Sequence, residues 1–172
     1  MKGPFVAIEK YKLFTVIPTV QATPDYSAGD VLFAPTEIAN IFPDAGASCI
    51  LKSITIIDKQ IVGTHDFTLY FTYSSTALGT INATADISDA DLAALNLNGV
   101  MHMDLSAART TQLDNAQVIK VLSLSASQEA GYPMLIQAAD DSTTVYIQGI
   151  VRTGTPTFAA SDITLIFHIE YR

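Results

Sequence analysis

The chain has 172 residues, with 17 acidic against 9 basic side chains and a net charge of −8; that length suits one domain able to bury roughly two thirds of its unfolded surface. An acidic body repels phosphate backbones, so direct binding of nucleic acid is not expected, and no apolar run approaches the roughly 20 residues of a membrane-spanning helix. Charged residues are 15 % of the chain and hydrophobic ones 49 %, against about 25 % charged in an ordinary soluble domain. Such a deficit points to surface buried in an oligomer or a larger assembly.

At the N-terminus, Lys2, Lys10 and Lys12 put three of the nine basic residues into the first twelve positions, interleaved with Phe5, Val6 and Ile8. The stretch admits two readings. As an arm, Lys2, Phe5, Lys10 and Lys12 would contact an acidic partner surface, the charges setting register and partner choice. As a strand, Lys10 and Lys12 would guard an exposed edge against wrong pairing. Residues 1–20 are therefore set apart as an arm or first strand, and residues 21–172 as one β-sandwich domain. The apolar run before Glu9 is too short for a secretory signal, so a reducing cytoplasm is the expected place of synthesis.

Further along, period-two alternation, which marks a strand with one buried face, predicts strands at residues 12–20, 30–33, 49–58, 66–73, 99–105, 117–125, 134–138, 143–153 and 163–171. It is clearest where Phe67, Leu69, Phe71 and Tyr73 alternate with Thr68, Tyr70 and Thr72. It recurs where Ile163, Leu165, Phe167, Ile169 and Tyr171 oppose Thr164, Ile166, His168 and Glu170. Cys49, the single cysteine, lies in an apolar run and reads as a small buried hydrophobe with no disulfide partner. Turn clusters at residues 43–46, 140–142 and 154–156 separate the strands. One short helix is predicted to start at Ser88, whose side chain would cap it, with Asp89 and Asp91 in the first turn where the dipole favours anions. The class is all-β: a jelly-roll-type β-sandwich of about eight to nine antiparallel strands with one short helix.

Chemistry is sparse. The hydrolase elbow, the phosphate-binding loop, the dinucleotide fingerprint and His-Glu-x-x-His are missing, so no enzymatic activity and no cofactor are expected. Two His–carboxylate pairs, His102 with Asp104 and His168 with Glu170, are candidates for a metal, because strand residues two apart share a face and jelly-roll oxygenases pair such a motif with a distant histidine. Against them, the His168–Glu170 face opposes a strongly apolar one, and His102 sits between Met101 and Met103; no metal is the expectation. Asp86, Asp89 and Asp91 lack the spacing and glycine of a calcium loop and read as helix capping.

Four ordered stretches, YSAGDV at 26–31, LKSITIID at 51–58, LGTINA at 78–83 followed by ISDAD at 87–91, and VYIQGIVRTG at 145–154, resemble a group of tailed-bacteriophage structural proteins, the capsid decoration, cement or head-fibre components. The resemblance implies a jelly-roll domain that forms a homotrimer on the outer capsid surface of the virion and bridges major capsid subunits. It also implies synthesis in the host bacterial cytoplasm, and it brings no catalytic residues with it. Residues 1–21 fall outside it, leaving attachment to the arm reading. The alternatives are a fibre or spike domain that binds a host surface glycan and, last, a cupin-like metalloenzyme built on His102, Asp104 and His168.

Overall fold

The computed structural model describes residues 11–22, 25–60, 65–105, 111–122 and 134–171. In chain order the elements are β1 (Tyr11–Val16), β2 (Val31–Ile38), β3 (Ser48–Asp58), β4 (Asp66–Thr72), α1 (Asp89–Ala94), β5 (Leu97–Asp104), β6 (Thr111–Gln112), β7 (Gln117–Leu122), β8 (Met134–Gln137), β9 (Val145–Thr153) and β10 (Ile163–Glu170). Their pairing is nested. β1 pairs β10, β2 pairs β9, β3 pairs both β7 and β8, and β4 pairs β5, all antiparallel. These are the rungs of one long hairpin whose tip lies between β4 and β5. Rolling that hairpin up adds the pairs β10–β3 and β9–β4 and yields two sheets, β1-β10-β3-β7-β6 with β8 also on β3, and β2-β9-β4-β5. This is jelly-roll connectivity. β7 and β8 occupy successive lengths of β3, opposite residues 53–58 and 48–51, and so share one strand position.

The alternation read from sequence decides which faces meet. Ile163, Leu165, Phe167 and Ile169 of β10 and Phe67, Leu69 and Phe71 of β4 are all buried, and they join one core cluster with Phe33, Ile54, Ile56 and Ile147. Across this layer the rings of Phe71 and Phe167 meet edge to face, 6.0 Å between centroids at 85°, a favourable arrangement for aromatic quadrupoles. Cys49 is buried here too, and burial pushes its thiol up to about 12. At one end of the sandwich Tyr26 seals the core: its hydroxyl donates to the Leu32 carbonyl (3.0 Å) and accepts from the Gln21 N–H (2.7 Å), while its ring packs edge to face on Phe158. Burial raises the Tyr26 pKa; the Gln21 N–H opposes that rise and the Asp30 carboxylate adds to it. The helix starts as its sequence predicts, with the Ser88 side chain accepting from the Asp91 N–H and Asp89 and Asp91 in the first turn.

Two boundaries differ from the sequence reading for identifiable reasons. β2 runs past Pro35 to Ile38 instead of stopping at residue 33, because it is an edge strand whose register with β9 shifts between Phe33 and Thr36, a setting that tolerates proline. β1 stops at Val16, two residues before Pro18, and its pairing with β10 makes residues 11–16 part of the sandwich. β3 stays amphipathic over eleven residues only because of a bulge. Ser53 pairs His168 and Leu51 pairs Ile169, so Lys52 is the extra residue, and the same residue is skipped on the other side, where Leu122 faces Ser53 and Met134 faces Leu51. Cys49 and Leu51 before the bulge and Ile54 and Ile56 after it therefore all point inward.

Gly149 shows how tightly the layers close. A Cβ there would lie 2.6 Å from the ring of Phe33, its neighbour on β2. Gly149→Ala is expected to cost about 1–3 kcal/mol by overpacking, and to cost less in a Phe33→Leu background because the two sites are coupled. Chemical denaturation of the four proteins checks this; equal costs in both backgrounds would mean that the ring does not set the limit.

Candidate interaction surface

The outer faces of the two sheets are treated differently by the chain. Over the four-stranded sheet lies the β4–β5 connection, residues 73–96. Gln148, fully buried on the outer face of β9, accepts from the Leu78 N–H and donates to the Thr76 carbonyl, both at 2.9 Å. Backbone bonds from Val31 N–H to Ala83 and from Asn82 N–H to Val31 pin the connection onto β2. Beneath it Val31, Leu78 and Leu95 form a second small core with Tyr70, Ile87 and Ile150 packed against them. Burial raises the Tyr70 pKa. This explains why Thr68 and Thr72, on the polar side of the β4 alternation, are also buried.

No described segment covers the six-stranded sheet in this way. The register places Tyr11, Leu13 and Thr15 of β1 beside Glu170, His168 and Ile166 of β10. Ile166 and Thr164 continue to Thr55 and Ile57 of β3, all half-buried, while Glu170 continues to Ile50, which is buried like Ser53 beside His168, and on to exposed Leu135 of β8. Tyr11 (65 % exposed), Leu13 (60 %) and Leu135 (60 %) are the most open large apolar side chains of the described residues. Among the described side chains the charges of this face are balanced: Lys52, thrust out by the bulge, pairs Glu170 at 3.1 Å, and His168 Nε2 sits 3.1 Å from Thr55 Oγ1; Lys120 of β7 holds the position on this face next to Thr55. A broad β-branched surface with one internally neutralised ion pair offers area and shape for packing.

At the far margin the two sheets are sewn together. Asn98 uses its carboxamide as a strand would use a peptide group, donating to the Gln137 carbonyl (2.8 Å) and accepting from the Gln137 N–H (3.1 Å). Leu97 and Val100 on β5 and Leu135 on β8 flank this seam, all exposed. At the opposite margin β1 is the last strand of its sheet. There Lys12 lays its ammonium over the ring of Phe14, 4.7 Å from the centroid. Of the attachment residues expected from sequence, Lys12 is thus on the sandwich edge, while Lys2, Phe5 and Lys10 lie outside the described residues.

The metal candidates are not brought together. His102 is on the outer face of the four-stranded sheet, its Nδ1 2.9 Å from Thr68 Oγ1, whereas His168 and Glu170 are on the outer face of the six-stranded sheet. Both sheets and the core, about 10 Å between backbones alone, separate them. Asp104 pairs with Asp66 in the ladder; its side chain lies outside the described residues. The reason is the phase of β5: Met101 and Met103 take the interior and turn His102 outward. Among the described residues no three His, Cys, Asp or Glu side chains are gathered as a metal would require.

Sequence adjacency also misses the partner of His65. It neighbours Asp66 in the chain, but the β3–β4 connection returns it to the end of β3, where Nε2 lies 3.2 Å from Asp58 Oδ2 with both side chains buried. The approach has the distance of an ion pair without the alignment of a hydrogen bond. Phe158 packs edge to face on the imidazole at 5.3 Å, and Asp58 also accepts from the Gln60 N–H. Alternation carries no signal for such a contact, because it is made by a connection and not by a strand face.

No protein-family model and no curated protein sequence matches the chain. Among solved structures, the infectious bursal disease virus VP2 subviral particle is similar over 94 % of this chain and 38 % of that one, at 12 % identity and a TM-score of 0.20. The T13 particle of the same virus is similar over 94 % and 36 %, at 12 % identity and a TM-score of 0.17. This chain spans well under half the length of either protein, and superpositions this slight carry no inference about function.

His65→Ala, which removes the imidazole from beside a buried carboxylate, is expected to lower stability by about 2–4 kcal/mol. Thermal unfolding checks it; an unchanged Tm would show that the His65–Asp58 contact does not hold this end of the sandwich.

Proposed function

We propose that this chain is a non-enzymatic structural protein of a bacteriophage particle, which decorates and cements the outer capsid by bridging major capsid subunits as a homotrimer. The observation that carries the reading is the outer face of the six-stranded sheet, which no described segment covers and which exposes Tyr11, Leu13 and Leu135, in a molecule that lays the β4–β5 connection over the other sheet. Exposed β-branched and aromatic area of this kind is lost from water on association, and the fully buried centre of an interface is where charged residues are depleted. The four ordered stretches that resemble decoration proteins supply the setting. Attachment through many small contacts would gain by avidity, and a protein that binds only the assembled shell stabilises it by linkage.

The glycan-binding alternative draws little support from the described loops: Tyr26, Phe42 and Phe158, which could stack on a sugar if exposed, are buried, and Tyr73 is half-buried.

Heads prepared without the protein are expected to release their genome at a lower temperature than complete heads, and adding the purified protein back is expected to restore the higher one. Release at the same temperature with and without it would remove the cementing role. Retained restoration by a protein lacking residues 1–10 would remove the arm reading while leaving the sheet face as the attachment surface.

A further inference from the structure

Among the described residues β1 is paired on one side only, and it comes near β2 of the other sheet without pairing to it. It pairs β10 over all six of its residues without a register break, and no described strand lies beyond it. An open edge presents the N–H and C=O groups of alternate residues as a template for another strand, and sheets normally guard such edges with proline, a bulge or an outreaching charge. β1 has no proline and no bulge. Its one charged residue, Lys12, folds back over its own strand onto Phe14 instead of standing across the edge.

The geometry points to pairing between β1 strands of two copies of this chain, antiparallel about a two-fold axis at Leu13, joining their six-stranded sheets into one. Opposed residues in an antiparallel pair share a face. Tyr11, Leu13 and Thr15 lie on the outer side, and Lys12, Phe14 and Val16 on the other. Setting Leu13 against Leu13 puts Tyr11 opposite Thr15 and Lys12 opposite Phe14. Each lysine then faces an aromatic ring of the other copy, repeating across the axis the cation–π contact already made within the strand. A shift by two residues one way sets Lys12 against Lys12; the other way leaves Lys12 against buried Val16. A one-residue shift mixes the faces. The sequence of this edge is thus self-complementary in one register, which is what a two-fold contact requires.

A ladder of this length covers less than the roughly 1,200 Å² of a stable interface, so the pair is weak in free solution and strengthens where copies are held side by side. The contact is two-fold, separate from any three-fold contact of the proposed trimer, and does not depend on the phage setting.

Cysteine substitution in the full chain tests both the contact and its register. Under mild oxidation at high protein concentration, Leu13→Cys is expected to form a disulfide-linked dimer. Tyr11→Cys and Thr15→Cys are each expected to stay unlinked alone and to link when mixed. Native Cys49 is buried and stays silent. Leu13→Lys, which opposes like charges at an exposed position, is expected to raise the dimer Kd about tenfold by sedimentation equilibrium with Tm unchanged. No link through Leu13→Cys, equal linking at all three positions, or a Kd indifferent to Leu13→Lys would each overturn the proposal.

Discussion

β3 carries a requirement that the other strands inherit. It runs for eleven residues through the middle of the larger sheet and pairs with β10 on one side and with β7 and β8 on the other. A strand that long keeps one face inward only if its period survives end to end. The bulge at Lys52 resets it, so that Leu51 and Ile54, three residues apart, both enter the core. Both neighbours conform to the same interruption: β10 shifts register between His168 and Ile169, and β7 ends where β8 begins. The bulge also thrusts Lys52 outward to Glu170, cancelling the one carboxylate among the described side chains of that outer face. Core order and the Lys52–Glu170 pair on the surface thus arise from one inserted residue.

The asymmetry between the sheets follows from how the hairpin rolls. Its tip, the connection between β4 and β5, is long enough to fold back over the smaller sheet, where Gln148 and the backbone of Val31 hold it. The larger sheet receives no such cover among the described residues. A molecule built this way has one sheet with a connection packed over its outer face and one whose outer face no described segment covers, and among the described residues no cluster of His, Cys, Asp or Glu is gathered for a metal.

Much of this was legible in the residues. Alternation in β4 and β10 identified the inward side chains one by one, because a strand with one buried face writes its period directly into the sequence. Ser88 and its following aspartates marked the helix start, because capping is a local interaction. What stayed hidden depended on distant parts of the chain. Pro35 reads as a stop until β2 is known to be an edge; the bulge at Lys52 is invisible without its partners; and the burial of Thr68 and Thr72 requires the cover that reaches them from residues 73–96. The paired spacing of His102–Asp104 and His168–Glu170 was real as a local pattern and misleading as a site, since spacing along a strand says which face two residues share but not which sheet that face belongs to.

In the proposed function the outer face of the six-stranded sheet is the working surface. Hydroxyl-radical footprinting of the free protein against the protein on assembled particles reads it directly, residue by residue. Protection of Tyr11, Leu13, Ile166 and His168 on assembly, with residues 73–96 reacting as before, is the result predicted; protection confined to residues 73–96 and the loop ends, with Tyr11 and Leu13 as reactive as in solution, would contradict it.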